Sequence, residues 1–338
     1  MNTRRFWAAS LIAAMIMVPV AGCASGGGGS TTLTSALSRP EEPDITVAAI
    51  PAVDLAGLYI AQDRGLFARQ GLHVTLEQIP SAQSVIADQL KGKVDISAGS
   101  YVAYLAAQAT GARFRILAEA STLSPDTRAL VVTGNSPITT IAELAGKKIG
   151  VNGINSIGTL LISALLSANG ISPSRVTFVP ATGGFPPMPR ELRDGAWSAA
   201  FLAEPYITAA GEQYGEEVLA DLDQGAVFSL PIDGFVATAA WARQHPKTVA
   251  AFTRAIEEGQ KIANSDTAAV QATLARNDNL PPEVTAAMAL PAYPVGPVVE
   301  ASIQRVARAM YQSGILGAQY ATDAEQQPLV ESMIGPAS

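Results

Sequence analysis

Two stretches carry hydroxyl and amide side chains where an apolar strand hands over to a helix, and such junctions are where a chain can hold a small molecule. Asn152-Gly153-Ile154-Asn155-Ser156-Ile157-Gly158-Thr159 leads into an amphipathic run over 160–169, closed by Gly170. A helix start offers unpaired backbone N–H groups and the positive end of the dipole, so Asn155, Ser156 and Thr159 are candidate ligand donors. The same residue types cap helices, and capping is the competing reading. Gly99-Ser100-Tyr101 occupies a similar junction, between a strand expected over 94–98 and a helix over 102–109. Its glycine lets the backbone approach a ligand, and the Ser100 hydroxyl either donates inward or serves as an N-cap. Phe185 lies in Pro180-Ala181-Thr182-Gly183-Gly184-Phe185-Pro186-Pro187, an irregular loop on which an aromatic ring either stacks on a ligand or fills a core.

Catalytic chemistry is poorly served. His73 and His245 are the only histidines, and neither has the spacing of a metal pair; both read as structural or solvated. Cys23 is the only cysteine, so no internal disulfide can form. No Gly-x-Ser-x-Gly elbow occurs. No catalytic residue, cofactor or metal is expected.

The elements that position these residues follow an export signal. Arg4 and Arg5 precede an apolar run over 6–20 that ends Val20-Ala21-Gly22-Cys23, which resembles a bacterial lipobox. Residues 1–22 are expected to be a signal peptide and Cys23 the site of lipid attachment. Residues 23–43, rich in Gly, Ser and Thr, read as a flexible tether spanning on the order of 25 Å. About 295 residues remain, enough for one large or two medium domains with substantial cores. The net charge is −7 and no basic run appears, which argues against nucleic-acid binding. No apolar stretch beyond the signal is long enough to span a bilayer.

Ile45-Thr46-Val47-Ala48-Ala49-Ile50, ended by Pro51, reads as a buried parallel strand. It is followed by the loop Pro51-Ala52-Val53-Asp54-Leu55-Ala56 and then by Gly57-Leu58-Tyr59-Ile60-Ala61, Gly65-Leu66-Phe67 and Gly71-Leu72-His73-Val74. This succession resembles the opening of the SsuA/THI5-like (NMT1/THI5-like) solute-binding family. Ile141-Ala142-Glu143-Leu144-Ala145-Gly146-Lys147-Lys148-Ile149-Gly150-Val151 is similar to that family's entry to a second lobe, and Ala203-Glu204-Pro205-Tyr206 to its acidic-Pro-Tyr turn.

The resemblance implies an α/β, type II periplasmic-binding-protein-like fold, two lobes joined by two crossovers with a ligand cleft between them. Lobe 1 is expected over 44–130 and 235–338 and lobe 2 over 131–234, with the first crossover near Val131 to Ser136 and the return at Leu230 to Thr238. The family turns the first loop and the 94–98 strand end toward the cleft, so Asp54, Ser100 and Tyr101 are carried over as ligand contacts, with Glu204 either cleft-facing or structural. The implied function is that of a lipid-anchored monomer on the extracytoplasmic face. It would capture a small molecule by hinge closure and deliver it to an ABC permease and its ATPase subunits.

The family's ligands include sulfonates, taurine, nitrate and thiamine-precursor pyrimidines. The first loop lacks the histidine and hydroxyl of the pyrimidine binders, and a carboxylate at Asp54 repels small anions. A neutral or amine-bearing ligand is therefore favoured over an oxyanion. The alternatives are an enzyme related to pyrimidine-precursor synthases and a lipoprotein that scaffolds without transporting.

Overall fold

The computed structural model describes residues 39–335. The expected signal peptide, Cys23 and most of the expected tether lie outside them.

Ten strands form two five-stranded sheets. The first sheet contains β1 (Asp44–Ala49), β2 (His73–Gln78), β3 (Ile96–Ser100) and β4 (Phe114–Thr122); the second contains β5 (Arg128–Val132), β6 (Lys148–Val151), β7 (Thr177–Pro180), β8 (Ala199–Ala203) and β9 (Glu217–Asp221). β10 (Pro231–Thr238) then returns to the first. The spatial orders are β2-β1-β3-β10-β4 and β7-β6-β8-β5-β9. β10 runs antiparallel between β3 and β4, and β5 antiparallel between β8 and β9. Each sheet thus receives the strand that follows a crossover into its interior, and the two crossovers join two α/β lobes.

The crossovers fall earlier than the sequence reading had them. β5 pairs with β8 from Arg128 to Val131, so the chain has left the first sheet before Arg128 rather than near Val131 to Ser136. Leu130 stands opposite Phe201 on β8 and Ala220 on β9, which fixes that strand in the second lobe. On the return, Pro231 already pairs with Thr122, so residues 231–234 belong to the first sheet. Residues 41 and 42, expected within the tether, are held against the first lobe. The Glu41 carboxylate accepts from the N–H groups of Lys247 (2.9 Å) and Thr248 (3.0 Å) at the start of helix Pro246–Ser265, where a helix end favours an anion.

One apolar core lies between the first sheet and helices Ala56–Asp63 and Pro246–Ser265, with Phe252 stacked on Phe67 at 5.5 Å and edge-on to Phe235 at 5.6 Å. The Gly57-Leu58-Tyr59 motif has its physical cause here. A Cβ on Gly57 would lie 2.7 Å from Gln260 Cγ, and one on Gly259 only 2.2 Å from Gly57 O, so these two helices pack backbone to backbone. The second core is continuous across the lobes, running from Leu160 and Phe201 to Tyr101, Tyr104 and Ile303.

Candidate ligand-binding site

β1 to β4 are parallel to one another, and their carboxyl ends face those of β6, β7 and β8 across a seam where the lobes meet. Gln83 Nε2 donates to Ile154 O (2.8 Å), and Val53 N–H donates to Glu204 O (3.1 Å) across it. Gly184 sits against Pro80: a Cβ there would be 2.5 Å from the Pro80 carbonyl oxygen.

Two crevices open along the seam. The larger, about 920 Å³, runs between helices Ala82–Leu90 and Tyr101–Ala109 of the first lobe and residues Asn152 to Asn155 of the second. The smaller, about 190 Å³, has Ile50, Pro51 and Gln78 on one wall and Gly183 to Pro186 on the other. Neither crevice is lined by a Lys or Arg side chain.

Of the residues singled out by sequence, Asn155 alone is both exposed and on a crevice wall; its φ of 53° turns the loop ahead of the helix. Ser156 and Thr159 are buried and committed to the helix start. Ser156 Oγ donates to Gly153 O (2.7 Å), while Thr159 Oγ1 accepts from Ser156 N–H (3.0 Å) and donates to Ser156 O (2.9 Å). A Cβ on Gly158 would strike the Phe201 ring at 2.5 Å, so the glycine in this turn serves core packing. Ser100 caps its helix, its hydroxyl accepting from Val102 N–H (3.2 Å).

Phe185 is buried, stacked on Tyr206 at 5.7 Å and 5.9 Å from Phe201, and it contributes to the wall of the smaller crevice. Glu204 accepts from Thr208 Oγ1 (2.8 Å), Thr208 N–H (3.1 Å) and Ala289 N–H (3.3 Å), which makes it a tie between segments. Burial raises its carboxyl, against the opposing pull of those donors and of Arg128.

Asp54 is 1% exposed, and its carboxylate is paired with the Arg128 guanidinium while accepting from Ser121 Oγ. The expected open ligand carboxylate is therefore spent. Arg128 was not singled out from the sequence; it lies 2% exposed at the head of β5, and its Nε has no hydrogen-bond partner among the described residues. Asp233 stands next to this pair, opposite Ser100 on β3 and Ser121 on β4, where the β10–β4 register is irregular. Burial holds its carboxyl well above the usual range, with the Asp54 charge adding and Arg128 opposing. Asp233 falls within the return expected at Leu230 to Thr238, where its charge was not weighed. An acid inside Leu-Pro-Ile-Asp-Gly-Phe-Val, otherwise apolar, was the available signal.

Tyr101 is fully buried, with no hydrogen-bond partner for its hydroxyl among the described residues. Its ring covers Gly234, where a Cβ would be 2.5 Å from the hydroxyl oxygen. A further polar group borders the smaller crevice. Tyr59 Oη (3.1 Å) and Gln78 Nε2 (3.2 Å) both donate to Asp278 Oδ1, and burial pushes that carboxyl up to about 6. Among the described residues, no group of three or more His, Cys, Asp and Glu is placed to hold a metal, and no helix is long and apolar enough to cross a membrane.

Two α/β lobes, strand ends facing across a seam and a central strand contributed to each sheet after a crossover define a two-lobed binding-protein architecture. Residues 52–268 match the family described as NMT1/THI5 like, and the chain belongs to it. The "Putative aliphatic sulfonates-binding protein" of Escherichia coli (strain K12) is 26% identical over 216 residues, 62% of this chain and 63% of that protein. The 4-amino-5-hydroxymethyl-2-methylpyrimidine phosphate synthase of Schizosaccharomyces pombe is 29% identical over 122 residues, 36% of this chain and 34% of the synthase. The chain thus matches less than two thirds of either relative's length. Its fold is that of the alkanesulfonate-binding protein SsuA from Xanthomonas axonopodis pv. citri bound to MOPS, with TM-score 0.72, 19% identity and coverage of 87% of this chain and 97% of the other.

Proposed function

We propose that this chain is the extracytoplasmic solute-binding protein of an ABC importer, lipid-anchored at Cys23, which captures a small molecule between its lobes and delivers it to a permease. The observation that carries the reading is the seam itself. Strand ends and helix starts from both sheets converge on it, crevices of about 920 and 190 Å³ open along it, and two crossovers allow the lobes to part. A binding role is favoured over synthase chemistry because the match to the sulfonates-binding relative spans 62% of the chain, against 36% for the synthase.

A thermal-shift screen of alkylammonium, amidinium, aminopyrimidine, alkanesulfonate and nitrate tests the reading. At least one class raises the melting temperature in a concentration-dependent way, as any ligand of the native state must. X-ray scattering with that compound then gives a smaller radius of gyration. A radius unchanged at saturation contradicts capture by closure.

A further inference from the structure

The larger crevice has no Asp, Glu, Lys, Arg or His on its walls. Ile86 and Leu90 of helix Ala82–Leu90 and Ala103 and Ala107 of helix Tyr101–Ala109 line it on the first lobe. Where the lobes meet, its polar groups are the amides of Gln83, Asn152 and Asn155. From Gln83 to Leu90 a helix advances about 10 Å. The crevice thus has a neutral polar end at the seam and an apolar stretch leading away from it.

Leu90 is 53% exposed and Ile154 41% exposed, and both belong to this crevice, one on each lobe. Single exposed apolar side chains are ordinary, whereas two large ones lining one concave site mark a place of contact. The second observation is polar. Asn152 is only 9% exposed, and the Ser156 hydroxyl proton is shared between its Oδ1 (3.0 Å) and Gly153 O (2.7 Å). Its Nδ2 has no hydrogen-bond partner among the described residues, and the atom is not wholly enclosed. A nearly buried amide with its donor end unpaired marks a place where an acceptor is missing. A charged group would find no counter-charge here, since Arg128 is paired with Asp54. The helix starts at the seam already carry the hydroxyl caps of Ser81, Ser100 and Ser156.

We propose that the larger crevice binds an uncharged amphiphile, whose carbonyl oxygen, from an amide, ester or ketone, accepts from Asn152 Nδ2 and whose hydrocarbon part lies between helices Ala82–Leu90 and Tyr101–Ala109. This rests on the reading of the chain as a solute-binding protein and names the class of solute. Ligands of such sites are held by apolar walls and oriented by a few polar groups.

Calorimetry with the full chain tests it, using N,N-dimethylbutanamide and N,N-dimethyloctanamide as uncharged probes that accept but cannot donate, and octylammonium and octanesulfonate as charged matches. Wild type binds the octanamide at least tenfold more tightly than the butanamide, within the roughly fourfold per methylene that full burial allows. It also binds the octanamide more tightly than either charged match. Leu90→Gln, at a half-exposed position, removes most of the gain from chain length and leaves the butanamide unchanged. Ala107→Phe does the same by filling the stretch, with circular dichroism to report folding. Asn152→Asp keeps an acceptor for Ser156 and removes the donor. It weakens both amides about 2- to 12-fold, the loss of one neutral hydrogen bond, and tightens octylammonium; a purely structural role would weaken all probes alike.

Three results overturn the inference while leaving the binding-protein reading intact. One is an affinity that does not rise with chain length, or whose rise survives both Leu90→Gln and Ala107→Phe. Another is a charged match that binds as tightly as the octanamide. The third is a wild type that binds none of these probes but is stabilised by amidinium or nitrate. Failure to bind any compound of either set counts against the solute-binding reading and removes the inference with it.

Discussion

Asp54 and Arg128 meet across the two lobes, the carboxylate from the loop after β1 and the guanidinium from the first residue of β5, and neither side chain is reached by solvent. Breaking such a pair from one side leaves an uncompensated buried charge, which costs about 3–5 kcal/mol. Here the two sides are unequal, because Asp233 stands beside the same guanidinium. Arg128→Met leaves two acids without a cation and should show the full loss in urea unfolding. Asp54→Asn lets Asp233 ionise in its place and should lose clearly less. Equal losses would mean that Asp233 does not sense Arg128.

Stability should fall as pH rises from about 5 to 8. Burial pushes Asp278 up to about 6 and Glu216 up to about 7, and moves Asp233 in the same direction. Over the interval between the unfolded carboxyl range near 4 and these folded values, the native state keeps protons that the unfolded chain has released. The derivative of unfolding free energy with pH is therefore negative there, and each group's penalty is complete above its own folded value. Urea midpoints measured at half-unit pH steps test this, and Glu216→Gln should flatten the slope near pH 7. A midpoint that rises across the interval would contradict the assignment.

Gly184 packs tightly against Pro80 across the seam. Its φ is +74°, and a Cβ would meet the Pro80 carbonyl oxygen of the other lobe at 2.5 Å. Gly184→Ala should leave each lobe folded, cost about 1–3 kcal/mol in backbone strain, and spread the lobes. The expected readout is a larger radius of gyration by X-ray scattering with unchanged circular dichroism. An unchanged radius would show that the loop yields locally and that this contact does not set lobe spacing.

The proposed membrane attachment rests on the one thiol of the chain, Cys23. Cys23→Ala should move the protein from the membrane fraction to the soluble fraction. Retention on membranes after a high-salt wash, with the apolar signal shown to be removed, would refute lipid anchoring.

The fold was legible because its determinants are local. The apolar run from Ile45 forms the parallel strand Asp44–Ala49, and Gly57-Leu58-Tyr59 marks a helix that packs backbone to backbone on a second helix. Ser156 and Thr159 were recognised as helix-start residues, but periodicity cannot say whether a hydroxyl faces a ligand or its own backbone; the cap uses both. Asp54 was read as open because its partner Arg128 is 74 residues away and enters from the other lobe. The crossover was placed late for a related reason. β5 is an apolar strand that suits either sheet, and only its pairing with β8 and β9 assigns it to the second.

The central claim, that a small molecule is captured between these lobes, is tested most directly by native mass spectrometry. The full chain would be isolated under non-denaturing conditions and incubated with the small-molecule fraction of its growth medium. The account predicts a single stoichiometric adduct, lost on denaturation. A chain that retains its bare polypeptide mass in that mixture would contradict capture.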